Sequence, residues 1–409
     1  MLELEDCQID AIYKMKNGCI LCGGTGSGKT RTALGYYYIC MGGDLESDEY
    51  VLMDDIEIKD LYIITPAKKR DDKDWEREMA PLLLTTNDDL KIYNHKIVVD
   101  SWNNIQKYKD VKGAFFIFDE DRVTGDGVWA KTFVKISRSN DWVILSATPG
   151  DTYLDYVPVF IANGFFKNKS EFESQHCQYT WAPNVKYPVG VNYIRTAKLD
   201  RLIRSILVNI DIERHTVQHH EDIICGYDIA AYKDIYRKRW NPWTDSPIEN
   251  ASEFCQCLRR IVNSDQSREV ALLELLESHK RVIVFYNYDY ELEILRRLSE
   301  GLEGSGVVCA EWNGHKHEQI PKSNKWIYLV QYNAGAESWN CILTDTIIFW
   351  SQNYSYKTMV QAYGRIDRMN TPWTDLWYFH LKSRSQIDIS IDRSLKSKKK
   401  FNESRFANW

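Results

Sequence analysis

The chain has 409 residues, 44% hydrophobic, 13% aromatic and 27% charged, with a formal net charge of -6. That length exceeds the usual size of one core and that composition excludes extended disorder, so two ordered domains are expected. No apolar run approaches the ~18 residues of a membrane span, and Met1-Leu2-Glu3-Leu4-Glu5-Asp6 lacks the basic-then-apolar order of a secretory leader, so an intracellular protein away from the membrane is expected.

Cys19 to Cys22 reads as a short buried strand. Gly23-Gly24-Thr25-Gly26-Ser27-Gly28-Lys29-Thr30 fits G-x-x-x-x-G-K-[ST], and Arg31 to Cys40 reads as a helix opening directly after it. Strand, glycine loop and helix together make a phosphate-binding loop. Gly24, Thr25, Gly26, Ser27 and Gly28 let backbone N–H groups wrap the phosphates, Lys29 adds its charge to that of the helix N-terminus, and Thr30 holds Mg²⁺. ATP with Mg²⁺ is the expected ligand pair.

Leu61 to Thr65, Lys96 to Val99, Ala114 to Asp119, Trp142 to Ser146 and Val189 to Ile194 read as further strands, with helices such as Asp71 to Met79 and Asp200 to Leu207 between them. Such alternation implies an α/β architecture with a parallel sheet covered on both faces. At the end of the run Phe115-Phe116-Ile117-Phe118, Asp119 would complete the metal site through water and Glu120 would polarise the attacking water. Ser146-Ala147-Thr148-Pro149, after the next strand, places Ser146 and Thr148 where small hydroxyls connect the nucleotide site to the other lobe.

Asn209 to Asn263 is polar and helical in flavour, with His215 to Asp222 as a crossover and Asn241-Pro242-Trp243 as a break. The strand pattern then restarts at Arg281 to Phe285, Val307 to Ala310, Trp326 to Gln331, Thr346 to Phe349 and Trp377 to His380, with helices at Tyr290 to Glu300 and Tyr356 to Arg365. The boundaries drawn from this are a first lobe at 1–208, a crossover and helical linker at 209–264, and a second lobe at 265–409 ending in the basic Arg393 to Lys400 tail. In Gln361-Ala362-Tyr363-Gly364-Arg365-Ile366-Asp367-Arg368, Arg365 and Arg368 share a helix face from which they can reach a γ-phosphate held by the other lobe. An arginine finger of this kind is worth about 10³ to 10⁵ in rate. The ten cysteines are scattered and read as reduced core residues, since Cys19-x-x-Cys22 has no second pair at zinc spacing. His219-His220 and His315-x-His317 stand without a cysteine or carboxylate cluster and read as surface or interface histidines.

The ordered set Gln8, GGTGSGKT, ITPAKKR, DEDR, SATP, NAGAESWN and QAYGRIDR resembles the motif series of the second helicase superfamily, running to about His380. Within it the chain is most similar to the Swi/Snf-type remodelling ATPases and their small phage-encoded relatives, on Trp75-x-x-Glu78 and on Thr148-Pro149 running into Tyr153 to Phe172. The resemblance implies two tandem RecA-like lobes, each a mainly parallel sheet flanked by helices, with ATP in the cleft between them. It implies that Gln8 reads adenine, that Lys29 and Thr30 hold phosphate and Mg²⁺, and that Asp119 is the metal acid beside the catalytic Glu120. Arg365 and Arg368 match the finger pair, with Gln361 near the attacking water. Thr65, Pro66 and Ser101 in the first lobe, and Tyr286, Asn287 and Asn333 to Gly335 in the second, fall where the family touches the nucleic-acid backbone. Arg122 in the acidic box and Ile366-Asp367 between the arginines depart from the usual pattern. The expected function is an ATP- and Mg²⁺-dependent nucleic-acid motor, a monomeric double-stranded DNA translocase acting in the cytoplasm of a phage's bacterial host. A fork-unwinding or branch-migrating helicase is one alternative, and a nucleotide-switch scaffold recruiting replication or recombination partners is another.

Overall fold

By its internal contacts the chain divides into two units, Met1–Glu213 and Arg214–Trp409. The computed structural model describes residues 4–24, 26–45, 58–90, 95–120, 123, 125–150, 152–180, 190–212, 214–302, 304–335, 341–397 and 401–407.

In the first unit the strands are β1 (Ile20–Cys22), β2 (Leu61–Thr65), β3 (Ile97–Ser101), β4 (Phe115–Asp119), β5 (Asp141–Ser146), β6 (Cys177–Thr180), β7 (Gly190–Tyr193) and β8 (Leu207–Asn209). Among the described residues the main sheet has the order β3-β2-β4-β5-β1-β8, and every pairing in it is parallel. β2 and β4 are buried along their whole length, as strands covered on both faces must be. Alternate side chains leave for opposite faces. Ile63, Ile117 and Val143 meet Ala33, Tyr37 and Trp75 on one side, while Ile64, Phe118 and Ile144 meet Phe133, Phe160 and Phe172 on the other.

Val189 to Ile194 is not the sixth strand of this sheet. β7 pairs antiparallel with β6 in a separate ribbon, and the sixth place goes to β8, which lies beside β1 through Ile20↔Leu207 and Cys22↔Asn209. Three residues at a helix end are too few to show a period, so only their neighbours fix them as a strand.

The second unit holds β9 (Val217–Cys225), β10 (Trp240–Asn241), β11 (Ser246–Pro247), β12 (Arg281–Tyr286), β13 (Val308–Trp312), β14 (Trp326–Gln331), β15 (Thr346–Phe349) and β16 (Asp375–Ser383). Among the described residues its large sheet runs β13-β14-β12-β15-β16-β9, again parallel throughout. Both sheets thus have the parallel, helix-flanked build of tandem RecA-like lobes. His215 to Asp222, read as a crossover within a linker at 209–264, lies largely in β9, which pairs with β16 from Asp375↔Val217 to Ser383↔Cys225. Charged and polar side chains on an exposed edge strand disguise it, since such edges carry few apolar residues. The helices Ile229–Lys238 and Ala251–Asn263 also pack within this unit, with Tyr232, Phe254 and Leu258 against Ile387, Ile391 and Phe401. Ile387 and Ile391 belong to the helix Gln386–Lys396, so the basic tail begins as a packed helix. Lys398 to Lys400 lie outside the described residues.

Two buried polar systems fix the second unit. Arg268 donates to the carbonyls of Trp350 and Leu381 and pairs with Asp388 at 3.2 Å, tying the helix Gln266–Ser278 to β16 and the last long helix. The other centres on the buried His380, read as the end of a strand: its Nδ1 is 3.1 Å from Gln352 Oε1, and its Nε2 is 3.2 Å from Nδ1 of His220, which stays exposed on the edge strand as a surface histidine. Burial, with the nearby charges of Lys382 and His220, pulls the His380 imidazole down from 6.5 to about 3, Asp392 opposing. Below about pH 6.5 the unfolded chain therefore takes up a proton that the native state refuses until about pH 3. Stability is present above the unfolded value and is lost on acidification through this window, by about 1.4 kcal/mol per pH unit for one such group. The melting temperature should fall between about pH 7 and pH 5, and His380→Gln should flatten that fall. Equal acid sensitivity in both proteins would contradict the assignment.

Candidate active site

Parallel strands put their C-terminal ends on one edge, which is where open α/β sheets hold ligands. In the first unit the segments leaving that edge carry residues 23–30 after β1, Ser146 to Thr148 after β5, Asp119 and Glu120 at β4, Thr65 and Pro66 at β2, and Ser101 at β3. Cys22 is in register with Ser146, and Gly23 N–H donates to the Ser146 carbonyl at 3.2 Å, so the glycine loop and the Ser146 turn start from one hydrogen-bonded point. Thr148 N–H donates to Ser146 Oγ at 3.2 Å.

Gly28 caps the helix Lys29–Cys40 with φ +72°, a left-handed conformation that favours glycine, and a Cβ there would stand 2.0 Å from Gln8 Nε2. Lys29 Nζ folds back onto its own loop, donating to the carbonyls of Gly23 at 2.6 Å and Gly24 at 2.9 Å. Phosphate oxygens are stronger acceptors than these carbonyls, so a phosphate entering the loop would draw the ammonium onto itself. Thr30 sits half-buried in the first helical turn, and Ser27 is buried, with its hydroxyl against Gly23. Gly24 and Gly26 are exposed, and Thr25 lies outside the described residues. Gln8 is buried under the loop. Its Nε2 donates to the Ser27 carbonyl at 3.1 Å while its Oε1 accepts the Glu5 N–H at 3.0 Å, so its amide braces the loop and caps the helix Asp6–Lys14.

At β4 the acidic pair is held tightly. Asp119 Oδ2 accepts from Thr65 Oγ1 at 2.8 Å, Lys69 Nζ at 2.9 Å and Trp75 Nε1 at 3.3 Å, and its carbonyl accepts from Trp102 Nε1 at 2.8 Å. Burial alone would raise the Asp119 pKa, but the charge and hydrogen bond of Lys69, the Thr65 hydroxyl and the charge of Lys29 outweigh it and hold the carboxyl below its usual value. Lys69 mirrors this: burial works against its ammonium, yet Asp119 and Glu120 raise its pKa. Glu120 takes φ +60°, and its carboxylate lies 3.6 Å from Lys69 Nζ. A non-glycine residue in that region costs about 1–3 kcal/mol and persists where its surroundings enforce it. Arg122 lies outside the described residues.

A divalent ion fits this edge on its chemistry. Among the described residues no group of three or more His, Cys, Asp and Glu converges as a metal cage, and Mg²⁺ characteristically takes one or two carboxylates with phosphate and water oxygens instead. Thr30 and Asp119 are the residues that would serve it.

In the second unit the helix Tyr356–Tyr363 stops before the arginines, with Gly364 as its cap, so Arg365 and Arg368 sit in the turns beyond it and not on a shared helix face. Those turns are shaped by Asp367. Its carboxylate accepts from Arg214 at 2.6 Å, Thr216 Oγ1 at 2.9 Å and Gln218 Nε2 at 2.7 Å, and its carbonyl accepts from Arg214 at 2.8 Å. Arg365 Nε donates to the carbonyl of the buried Gln361 at 3.0 Å. Burial, with Arg365 and Arg214 close by, pulls the Arg368 guanidinium down to about 9, Asp367 opposing.

Three positions read as nucleic-acid contacts do not present their side chains. Thr65 is 0% exposed because its hydroxyl serves Asp119 and Trp75, Ser101 is buried at the head of a 3₁₀ turn, and Tyr286 is buried in the core of its sheet. Pro66 and Asn287 are half-buried and Asn333 is exposed. The Asn287 amide donates to Ser351 Oγ at 2.8 Å. Gly335 closes the short turn Tyr332–Gly335 after β14. Sequence reasoning missed Lys69, Trp75 and Asp367 as site residues. The ITPAKKR run holds Lys68, Lys69 and Arg70, and nothing in its pattern says which one turns toward Asp119.

No protein-family model matches the chain, and none of the curated proteins matches it. Among solved structures it is similar to one described as the Sulfolobus solfataricus SWI2/SNF2 ATPase core in complex with dsDNA, at 16% identity over 99% of this chain and 92% of that one, with a TM-score of 0.42. At that score the likeness carries no argument, and function rests on the residues.

Thr65→Val keeps the shape and removes the hydroxyl that both donates to Asp119 and accepts from Trp75. It should destabilise the protein by about 1–3 kcal/mol in urea unfolding. A loss of only a few tenths would mean the pair is satisfied otherwise.

Proposed function

We propose that the chain is an ATP- and Mg²⁺-dependent motor of the second helicase superfamily, Swi/Snf-like in its motifs, that couples hydrolysis to movement along double-stranded DNA. What carries the reading is one sheet edge: the glycine loop after β1, the Ser146–Thr148 turn after β5 and the Asp119–Glu120 pair at β4 occupy three adjacent strand ends. A triphosphate seated on the helix Lys29–Cys40 meets backbone N–H groups and Lys29, which exchanges the Gly23 and Gly24 carbonyls for phosphate oxygens. Mg²⁺, when bound by Thr30 and by Asp119 through water, neutralises charge on those oxygens. Glu120 activates the attacking water from the head of β4, and Gln361 orients it. As the motif resemblance implies, Arg365 and Arg368 would stabilise charge developing on the transferred phosphoryl group. A buried guanidinium whose neighbours include two other arginines gains strongly from an incoming anion. Pro66, Asn287, Asn333 and Gly335 supply backbone contacts that are independent of base sequence.

Strand separation is the second reading, and the hairpin of β10 and β11 favours it. Trp240 and Trp243 on this hairpin are 41% and 40% exposed, placing flat apolar surface where unpaired bases could stack.

Lys29→Ala and Glu120→Gln should each abolish nucleic-acid-stimulated ATP hydrolysis, and Arg368→Ala should lower it by about 10³-fold or more. Full activity in any one variant removes the role given to that residue. Displacement of a third strand from a triplex without opening of a tailed duplex favours translocation; efficient opening of the tailed duplex favours the helicase.

A further inference from the structure

We propose that Lys69 is a positioning residue that holds the acidic pair while no metal is bound and yields Asp119 when a divalent ion arrives with nucleotide. The proposal rests on the nucleotide reading above and adds a moving part to it. Asp119 Oδ2 already receives Thr65, Lys69 and Trp75, which saturates its lone pairs. The three donors differ in freedom. Thr65 and Trp75 are buried and bonded to each other at 3.1 Å, whereas the Lys69 side chain is 30% exposed on a flexible stem. Its ammonium also stands 3.6 Å from Glu120, so a single positive charge serves both acids. A divalent cation drawn to the same carboxylates would repel it at short range, and the two charges compete.

Displacing Lys69 has a consequence beyond the metal. Lys69 lies in the short helix Ala67–Asp71, which starts directly after Pro66. The same helix reaches β3 through Arg70, which pairs with Asp100 at 3.3 Å beside Ser101. Release of Lys69 removes the tie between this helix and the acidic pair and frees the segment that follows Pro66, a position read as a nucleic-acid contact, to shift. Because linkage is reciprocal, nucleic acid that shifts this helix would alter the affinity for Mg²⁺ and nucleotide in turn.

The test is binding of a fluorescent ATP analogue titrated with Mg²⁺, together with melting temperature in EDTA and in Mg²⁺ plus nucleotide. Lys69→Met should lower the Mg²⁺ half-saturation by about tenfold or more, the worth of one charge-assisted hydrogen bond. It should also melt earlier in EDTA and recover with Mg²⁺ and nucleotide, while Lys69→Arg stays near wild type. An unchanged or raised half-saturation in Lys69→Met overturns the proposal, since a purely structural lysine would leave it there. Wild-type protein supplies an independent arm if the methionine variant does not fold: amide exchange in residues 67–71 should rise with Mg²⁺ and ADP but not with ADP in EDTA, and no rise counts against the proposal. A wild-type protein that binds no nucleotide at any Mg²⁺ concentration overturns the nucleotide reading and this inference with it.

Discussion

A carboxylate at the buried end of a strand must be neutralised, and the way Asp119 is neutralised organises the first unit. Thr65 comes from β2, Lys69 from the helix after it, Trp75 from the helix Asp74–Met79 and Trp102 from the turn after β3, so one residue gathers donors from four pieces of chain. The desolvation that would neutralise an isolated acid is outweighed by Lys69, the Thr65 hydroxyl and the charge of Lys29, which hold the carboxyl below its usual value. The same grip sets Glu120. With Asp119 fixed at both carboxylate and carbonyl, the next residue takes a positive φ, and its side chain stays beside Lys69.

The second unit solves a related problem with the signs exchanged. Arg365 and Arg368 are both buried, and an acid between them, Asp367, holds their turn by binding Arg214, Thr216 and Gln218. Arg214 is the first residue of that unit, so the strand that opens it and the loop carrying the arginines are joined at one carboxylate. Gln218 continues the chain of contacts to the exposed His220 and on to the buried His380, whose imidazole burial pulls down to about 3. The departure noted at Ile366-Asp367 is in this sense a built joint.

Much of this was legible in the residues. Gly23 to Thr30 announces its loop because strand, glycines and helix stand in one order, and Phe115 to Asp119 announces a fully buried strand with an acid at its head. The bounds of β14 and β15 follow from apolar runs closed by turns. What could not be read were features set by distant partners. β9 has the polarity of a linker and is a strand only because β16 lies beside it, and β8 is three residues long. Thr65 and Ser101 stand where motif order puts nucleic-acid contacts, yet the packing of Trp75 and the 3₁₀ turn at Trp102 takes their side chains inward. Lys69 and Asp367 belong to the site through contacts fifty or more residues away in sequence, beyond the reach of any local pattern.

We propose that a nucleotide site built around Asp119 drives work on nucleic acid. It is tested most directly by the rate of ATP hydrolysis of the purified chain with and without saturating duplex DNA, at two salt concentrations, with single-stranded DNA and RNA in parallel. Hydrolysis should be slow alone, rise with duplex DNA, and need more DNA for the same rise at higher salt, since phosphate contacts set that dependence. Hydrolysis that stays flat across every nucleic acid would contradict it and leave the protein as a nucleotide switch.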